Sequence, residues 1–431
     1  MAAVKHGLSD FTKSGGTDTM VAGRYYKMKA YERLLNYVKV WTTSDEESGT
    51  KPSAQREFDL ARLLVEEMKA LGIEDARVDD KCYVYGTLPA SQGLEEKPAL
   101  GLIAHLDTAP DFSGKDVKPM IWENYSGEAL TLPGGITLTP EMFPELARLK
   151  GRTLITSDGT TLLGADDKAG VAEIMTAAEC LINEKIPHGK ICIAFTPDEE
   201  IGGGAEDLDL AAFGAAFAYT VDGGAENEIE YENFNAARAD FEICGRSVHT
   251  GEAKNRMINA ALTACEINGM LPAAEIPACT EEREGFYHMT SISGTVESAK
   301  LSYIIRDHSA EHFEARMETL RLIEKIMNEK YGSGTVKLTT KEQYRNMLEK
   351  IRPHMHLIEN VREVMKGLGM SAEERPVRGG TDGARLSFRG LPCPNLGTGG
   401  YAFHGPYEHI TAEGMDTVVR LILGIVNKYA E

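Results

Sequence analysis

Cysteine is scarce and scattered: seven residues among 431, an odd count with no C-x-x-C pair. That excludes a cysteine-ligated zinc ribbon and reads as reduced thiols in a cytosolic chain. Long apolar runs are missing too, and none approaches the roughly 20 residues of a membrane span. The opening stretch MAAVKHGLSDFTKSGGTDTMVAGRYY lacks the apolar centre of a signal peptide and is rich in Gly, Ser and Thr. Residues 1–27 are therefore expected to form a flexible N-terminal arm, and the chain to be cytoplasmic. Basic charge is also short: 46 Lys and Arg against 66 Asp and Glu leave a formal net charge of −20. Phosphate neutralisation needs the opposite sign, so the balance argues against nucleic acid as a partner. The Gly-rich pieces GGTDGA and GTGGY lack P-loop or dinucleotide-fingerprint spacing, and no repeat of 20–50 residues is visible.

What is present is an ordinary globular composition, 42% hydrophobic and 26% charged, in a chain too long for one typical core. Strand-like runs alternate with helical patterns from about residue 30 to 235, which predicts an α/β layered sheet. ALGLIA leads into His105 and Asp107, ICIAFTP into Asp198, Glu199 and Glu200, and AFAYTV into Asp222. Asp166 and Asp167 open a helix whose apolar face is Val171, Ile174, Met175, Ala178, Leu181 and Ile182. Ligands of open α/β sheets bind beyond the carboxyl ends of the strands, so these segments deliver their acids and histidine to one edge. The pattern changes over residues 236–345 to β-α-β-β-α-β, an inserted ferredoxin-like unit. It reverts afterwards, with a helix through HLIENVREVMKGLG and a loop-rich segment carrying His404. The expected organisation is a mixed-sheet α/β domain from residues 28–235 and 346–431, interrupted by a small second domain over 236–345.

Each acidic or histidine motif is unremarkable alone. An H-x-D is commonly structural, and TPDEE at a helix start suits capping and the helix dipole. Together they supply two imidazoles (His105, His404) and three carboxylates (Asp166, Glu200, Asp222), a donor set that zinc accepts readily. Five such side chains suit two metals about 3.5–4 Å apart with one carboxylate bridging. Without cations the acids would repel and raise one another's pKa values. Glu199, beside a ligand, is placed to accept a proton from an activated water and pass it to a leaving amine. Asp107, two residues along an extended chain from His105, can hold the other imidazole nitrogen.

The segments AHLDTAPDFSGKDV, LLGADDKAGVAEIM, FTPDEEIGGGA, YTVDGGAENEIEYENFNAA, YIIRD and VRGGTDGARLSFRGLPCPNLGTGGYAFHG follow in an order that resembles peptidase T. That family is the aminotripeptidase branch of the dinuclear zinc exopeptidases with an inserted lid domain, and the resemblance spans roughly residues 28–430. It implies that His105, Asp166 and Asp222 hold one zinc and Asp166, Glu200 and His404 the other, with Asp166 bridging. Asp107 matches the orienting aspartate and Glu199 the general base. His249 matches a lid histidine that contacts substrate, although Thr250 stands where relatives often carry proline. Arg306 and Arg378 match arginines that hold substrate carboxylate or carbonyl groups. Implied with these are two Zn2+ per subunit (Co2+ or Mn2+ as substitutes), small peptide substrates with a free N-terminus, and a homodimer through the lid. The rivals are a dipeptidase, carboxypeptidase or deacylase on the same scaffold, and a non-catalytic metal-binding protein.

Overall fold

The computed structural model describes residues 28–431, so the arm expected over residues 1–27 lies outside the described residues. The largest sheet has eight strands among those residues, and four adjacent central ones run parallel: Ile191–Thr196, Leu100–His105, Phe217–Gly223 and Asn395–Gly397. Antiparallel partners flank them, Val84–Leu88 beside Ile191–Thr196 and Glu228–Glu230 beside Asn395–Gly397. Leu100–His105 and Ile191–Thr196 are buried at every position, as parallel strands covered on both faces must be.

The helix Ala165–Asn183 packs on this sheet and is itself covered by helices Ala30–Tyr37 and Ala412–Ala430. Its burial is nearly complete, wider than the single apolar face expected, because it lies between the sheet and two further helices. Close approach requires Gly170: a Cβ there would sit 1.9 Å from the Val221 carbonyl oxygen. Regular helix starts later than the sequence reading places it. Asp166 (φ −82°, ψ 110°) and Asp167 (φ −115°, ψ 32°) are non-helical, and Asp167 Oδ1 accepts from the Gly170 amide at 3.1 Å. Asp167 thus acts as the cap of the regular helix, which frees Asp166 to project from its mouth.

Residues 235–344 form a second layered unit with its own core. Strands Asn235–Cys244, Phe286–Gly294, Ser298–Asp307 and Val336–Tyr344 alternate with helices Ala260–Gly269 and Ala310–Tyr331 in the order β-α-β-β-α-β. All pairings in their sheet are antiparallel, with Asn235–Cys244 between Ser298–Asp307 and Val336–Tyr344. Ala237, Ala239, Phe241 and Ile243 alternate inward on the first strand, facing Phe313, Leu320 and Met327 of the long helix. The two chain crossings into this unit are stitched by asparagines. Asn235 Nδ2 donates to the Asp307 and His308 carbonyls (3.0 and 3.1 Å), and Asn235 Oδ1 and Asn233 Oδ1 accept from the Asn346 and Met347 amides (3.0 and 2.8 Å). No helix among the described residues is long and apolar enough to cross a membrane.

The Gly170 contact makes a definite demand on stability. Gly170→Ala must push the helix off Val221, and overpacking of this kind costs about 1–3 kcal/mol. A lower denaturant midpoint with an unchanged m-value is the expected result; a stability equal to that of the parent would contradict a close approach of the helix to the Val221 carbonyl.

Candidate metal centre

The carboxyl ends of the parallel strands bring the acids and imidazoles together as the topology demands. His105 closes its strand, 2% exposed, with Nε2 at 2.9 Å from Asp166 Oδ1 and 3.4 Å from Asp222 Oδ1. Its other nitrogen, Nδ1, meets the Asp107 main-chain oxygen at 3.0 Å and Asp107 Oδ1 at 3.3 Å. Across the cluster, His404 Nε2 lies 3.3 Å from Asp166 Oδ2 and 2.9 Å from Glu200 Oε2. Asp166 therefore stands between the two imidazoles, one oxygen to each. Donor atoms of His105, Asp166 and Glu200 lie within 4.8 Å of one another, as do those of His105, Glu199 and Asp222. Glu199 is thus closer to the ligand group than the sequence reading implied, on the His105–Asp222 side.

Buried carboxylates grip the main chain around this cluster. Asp107, with no exposure, accepts from the Glu199 and Glu200 amides through its two oxygens (3.0 and 3.2 Å). Asp167 Oδ2 accepts from the His105 amide at 3.1 Å. Glu408, 1% exposed and four residues beyond His404, accepts from the Leu163 and Gly164 amides through Oε2 (2.7 and 2.8 Å) and from the Asp166 amide through Oε1 (3.0 Å). Two side-chain bearers hold left-handed backbone here, Asp198 at φ 57° and His404 at φ 62°. Such conformations cost about 1–3 kcal/mol and persist only where the surroundings impose them.

The electrostatics are those of acids short of counter-charge. Burial and the adjacent Asp166 push Glu200 up to about 8, and burial pushes Asp222 up to about 7. Burial, Asp222 and Asp382 hold Glu199 well above the usual carboxylate range. Burial acts the same way on Asp166, but its hydrogen bonds with His105 and His404 outweigh it and keep this acid low. Hydrogen bonds to Asp166 and Glu200 lift His404 to about 11. Among the described residues no Lys or Arg pairs with Asp166, Glu199, Glu200 or Asp222. Glu200 Oε1 is buried without any hydrogen-bond partner. An orphaned oxygen, crowded acids and two imidazoles fit a pair of divalent cations, which would supply the missing charge.

The remaining predicted residues lie differently. Arg306 is half-buried, its guanidinium 5.2 Å from the Tyr344 ring centroid, and Tyr344 lines the same cavity of about 420 Å3 as the cluster. Arg378 turns to the loop of the inserted unit, donating to the Glu282, Glu284 and Thr280 carbonyls and to Thr280 Oγ1 (2.7–3.3 Å). His249 is exposed, Nδ1 accepting from the Gly251 amide at 3.2 Å, and does not line the cavity. Several residues of the site escaped sequence reasoning. Asp382 lines the cavity and accepts from Thr196 Oγ1 (2.9 Å) and the Ala205 amide (2.7 Å). Asn395, Glu230 and Arg385 line it as well, and Glu408 braces it from behind. All fall inside or beside the motifs that carry the other site residues, and nothing in local spacing separates them from ordinary polar positions.

Comparison with known proteins gives the family and the fold. The model of Peptidase family M20/M25/M40 matches residues 158–428. Peptidase T of Clostridium perfringens (strain ATCC 13124) is 54% identical over 404 residues, covering 94% of this chain and 99% of the relative. Among solved structures, aminopeptidase PepT from Bacillus cereus ATCC 10987 superposes with a TM-score of 0.75 at 21% identity, over 94% of this chain and 98% of that one. A tripeptidase from Staphylococcus aureus subsp. aureus mu50 gives 0.73 at 22% identity, over 93% and 98%. At that identity the two structures establish the shared fold. The sequence match to peptidase T, nearly end to end, carries the assignment further: the chain belongs to the peptidase T family, within Peptidase family M20/M25/M40.

Proposed function

We infer that this peptidase is a metal-dependent aminotripeptidase that hydrolyses the N-terminal peptide bond of tripeptides, with two Zn2+ per subunit and Co2+ or Mn2+ as substitutes. One observation supports this above all: His105, Asp166, Glu199, Glu200, Asp222 and His404 converge on one cavity edge, with no Lys or Arg among the described residues paired to the acids. His105, Asp166 and Asp222 would hold one ion, and Asp166, Glu200 and His404 the other. When bound, the ions polarise the scissile carbonyl and lower the pKa of the attacking water. Glu199 accepts that water's proton and returns it to the departing amine. Asp107 fixes the His105 ring through Nδ1 and keeps Glu199 and Glu200 in register by their amides. Arg306, beside the Tyr344 wall, is assigned to a substrate carbonyl or carboxylate. For Arg378 and His249 the same role requires the inserted unit to move over the cavity, releasing Arg378 from its loop carbonyls. Seven free cysteines support a cytoplasmic setting.

Tripeptide cleavage should stop on chelation and return with added zinc, cobalt or manganese, while dipeptides, tetrapeptides and N-blocked tripeptides are poor substrates. Equal cleavage of blocked peptides would contradict an aminopeptidase. Glu199→Gln should lower kcat roughly 10²–10⁴-fold with full metal content by elemental analysis; loss of metal would reassign Glu199 as a ligand. Glu408→Gln removes acceptor capacity behind Asp166, so metal affinity measured against a competing chelator should fall about 10–100-fold. An unchanged affinity would show that the Leu163–Asp166 segment holds its shape unaided.

A further inference from the structure

The catalytic cavity contains an acid that the metal cluster and the proton transfer leave unused. Glu230 ends the strand Glu228–Glu230, opposite Asn395 in antiparallel register, and lines the cavity beside Asp222. Asn395 is held from both sides: Oδ1 accepts from the Asp222 amide at 3.1 Å, and Nδ2 donates to Glu230 Oε2 at 2.6 Å. That chain fixes the Glu230 carboxylate relative to a proposed metal ligand. Its other oxygen, Oε1, has no hydrogen-bond partner among the described residues, and no Lys, Arg or His is paired with either oxygen.

The neighbouring charged side chains make their close contacts elsewhere, and Arg375 acts on Glu230 only from beyond ion-pair distance. Asp382 has both oxygens occupied, by Thr196 and Ala205. Arg375 reaches Glu228 at 3.2 Å rather than Glu230, and Arg385, the arginine of the cavity wall, is bound to Glu206 at 2.9 Å. Two divalent ions would be balanced by Asp166, Glu200, Asp222 and a hydroxide and so leave no charge for Glu230, and among the described residues no Lys, Arg or His lies within ion-pair distance of its carboxyl group. A half-buried carboxylate in that position is completed by a cation carried in with the ligand.

We propose that Glu230 receives the α-ammonium group of the peptide substrate, and that the Glu230–Asn395–Asp222 chain sets its distance from the reacting bond. The proposal rests on the aminotripeptidase reading above and names the residue that makes a free N-terminus a requirement. An acetylated N-terminus brings no charge and leaves Glu230 unpaired, so selection follows from the carboxylate rather than from the size of the cavity.

The test uses zinc-loaded protein in a Glu199→Gln background, where binding is measured without turnover. Calorimetric titration with trialanine and N-acetyl-trialanine is compared between Glu199→Gln and Glu199→Gln/Glu230→Gln. Loss of one charge-assisted hydrogen bond predicts a Kd for trialanine that rises roughly 10- to 100-fold. Binding of the acetylated peptide and zinc content should not change, and Glu230→Asp should retain part of the affinity for trialanine. Equal Kd values for trialanine in the two backgrounds would overturn the proposal. So would an equal loss for free and acetylated peptides, which marks a merely structural side chain. Wild-type cleavage of trialanine, followed in parallel, separates the two levels: no cleavage overturns the aminotripeptidase reading and this inference together, whereas cleavage with an unaffected Kd overturns this inference alone.

Discussion

Carboxylates crowded at the ends of parallel strands repel one another, and the rest of the site is arranged around that repulsion. Two like charges 4 Å apart at an effective dielectric of 20 oppose each other by about 4 kcal/mol, and this cavity edge gathers four acids. Among the described residues no arginine or lysine answers them, the two imidazoles lie between them, and one glutamate oxygen is buried without a partner. Divalent cations at this cluster would supply the counter-charge that its side chains leave short. The topology explains why the acids are there: three central strands run parallel, so their carboxyl ends face one way, and the fourth, Asn395–Gly397, sends the chain on towards His404.

A second set of buried acids does different work. Asp107, Asp167 and Glu408 bind main-chain amides, and each ties segments far apart in sequence: residue 107 to 199–200, 167 to 105, and 408 to 163–166. Each carboxylate is thereby satisfied by N–H donors, which is what permits its burial. The left-handed backbone at Asp198 and His404 sits at the ends of these clamped segments, where the chain must turn sharply to present the next side chain. The cavity-facing acids and the amide-facing acids look alike in sequence and differ only in which way the fold turns them.

That difference marks the limit of what could be read beforehand. The strand ends carrying His105, Glu199, Glu200 and Asp222 were legible because several such motifs, each with a simple structural reading alone, follow successive apolar runs. The insert was legible because Ala237, Ala239, Phe241 and Ile243 alternate and the long helix repeats its apolar residues at helical spacing. The late start of the helix after Asp166 was not, since an Asp-Asp pair before an apolar run reads equally as first turn or as cap. Arg378 carries a family motif, yet its guanidinium is taken up by carbonyls of the Thr280–Glu284 loop, about a hundred residues away in the chain. Glu230 and Asn395 lie on neighbouring strands 165 positions apart, a pairing that only sheet register reveals.

Anomalous diffraction from zinc-soaked crystals, recorded on both sides of the zinc edge, tests the central claim most directly. The account predicts two peaks about 3.5–4 Å apart with Asp166 between them, one bound by His105 and the other by His404, each at about 2.0–2.2 Å from its ligand atoms. A single peak, or two peaks with His404 bound to neither, would contradict it.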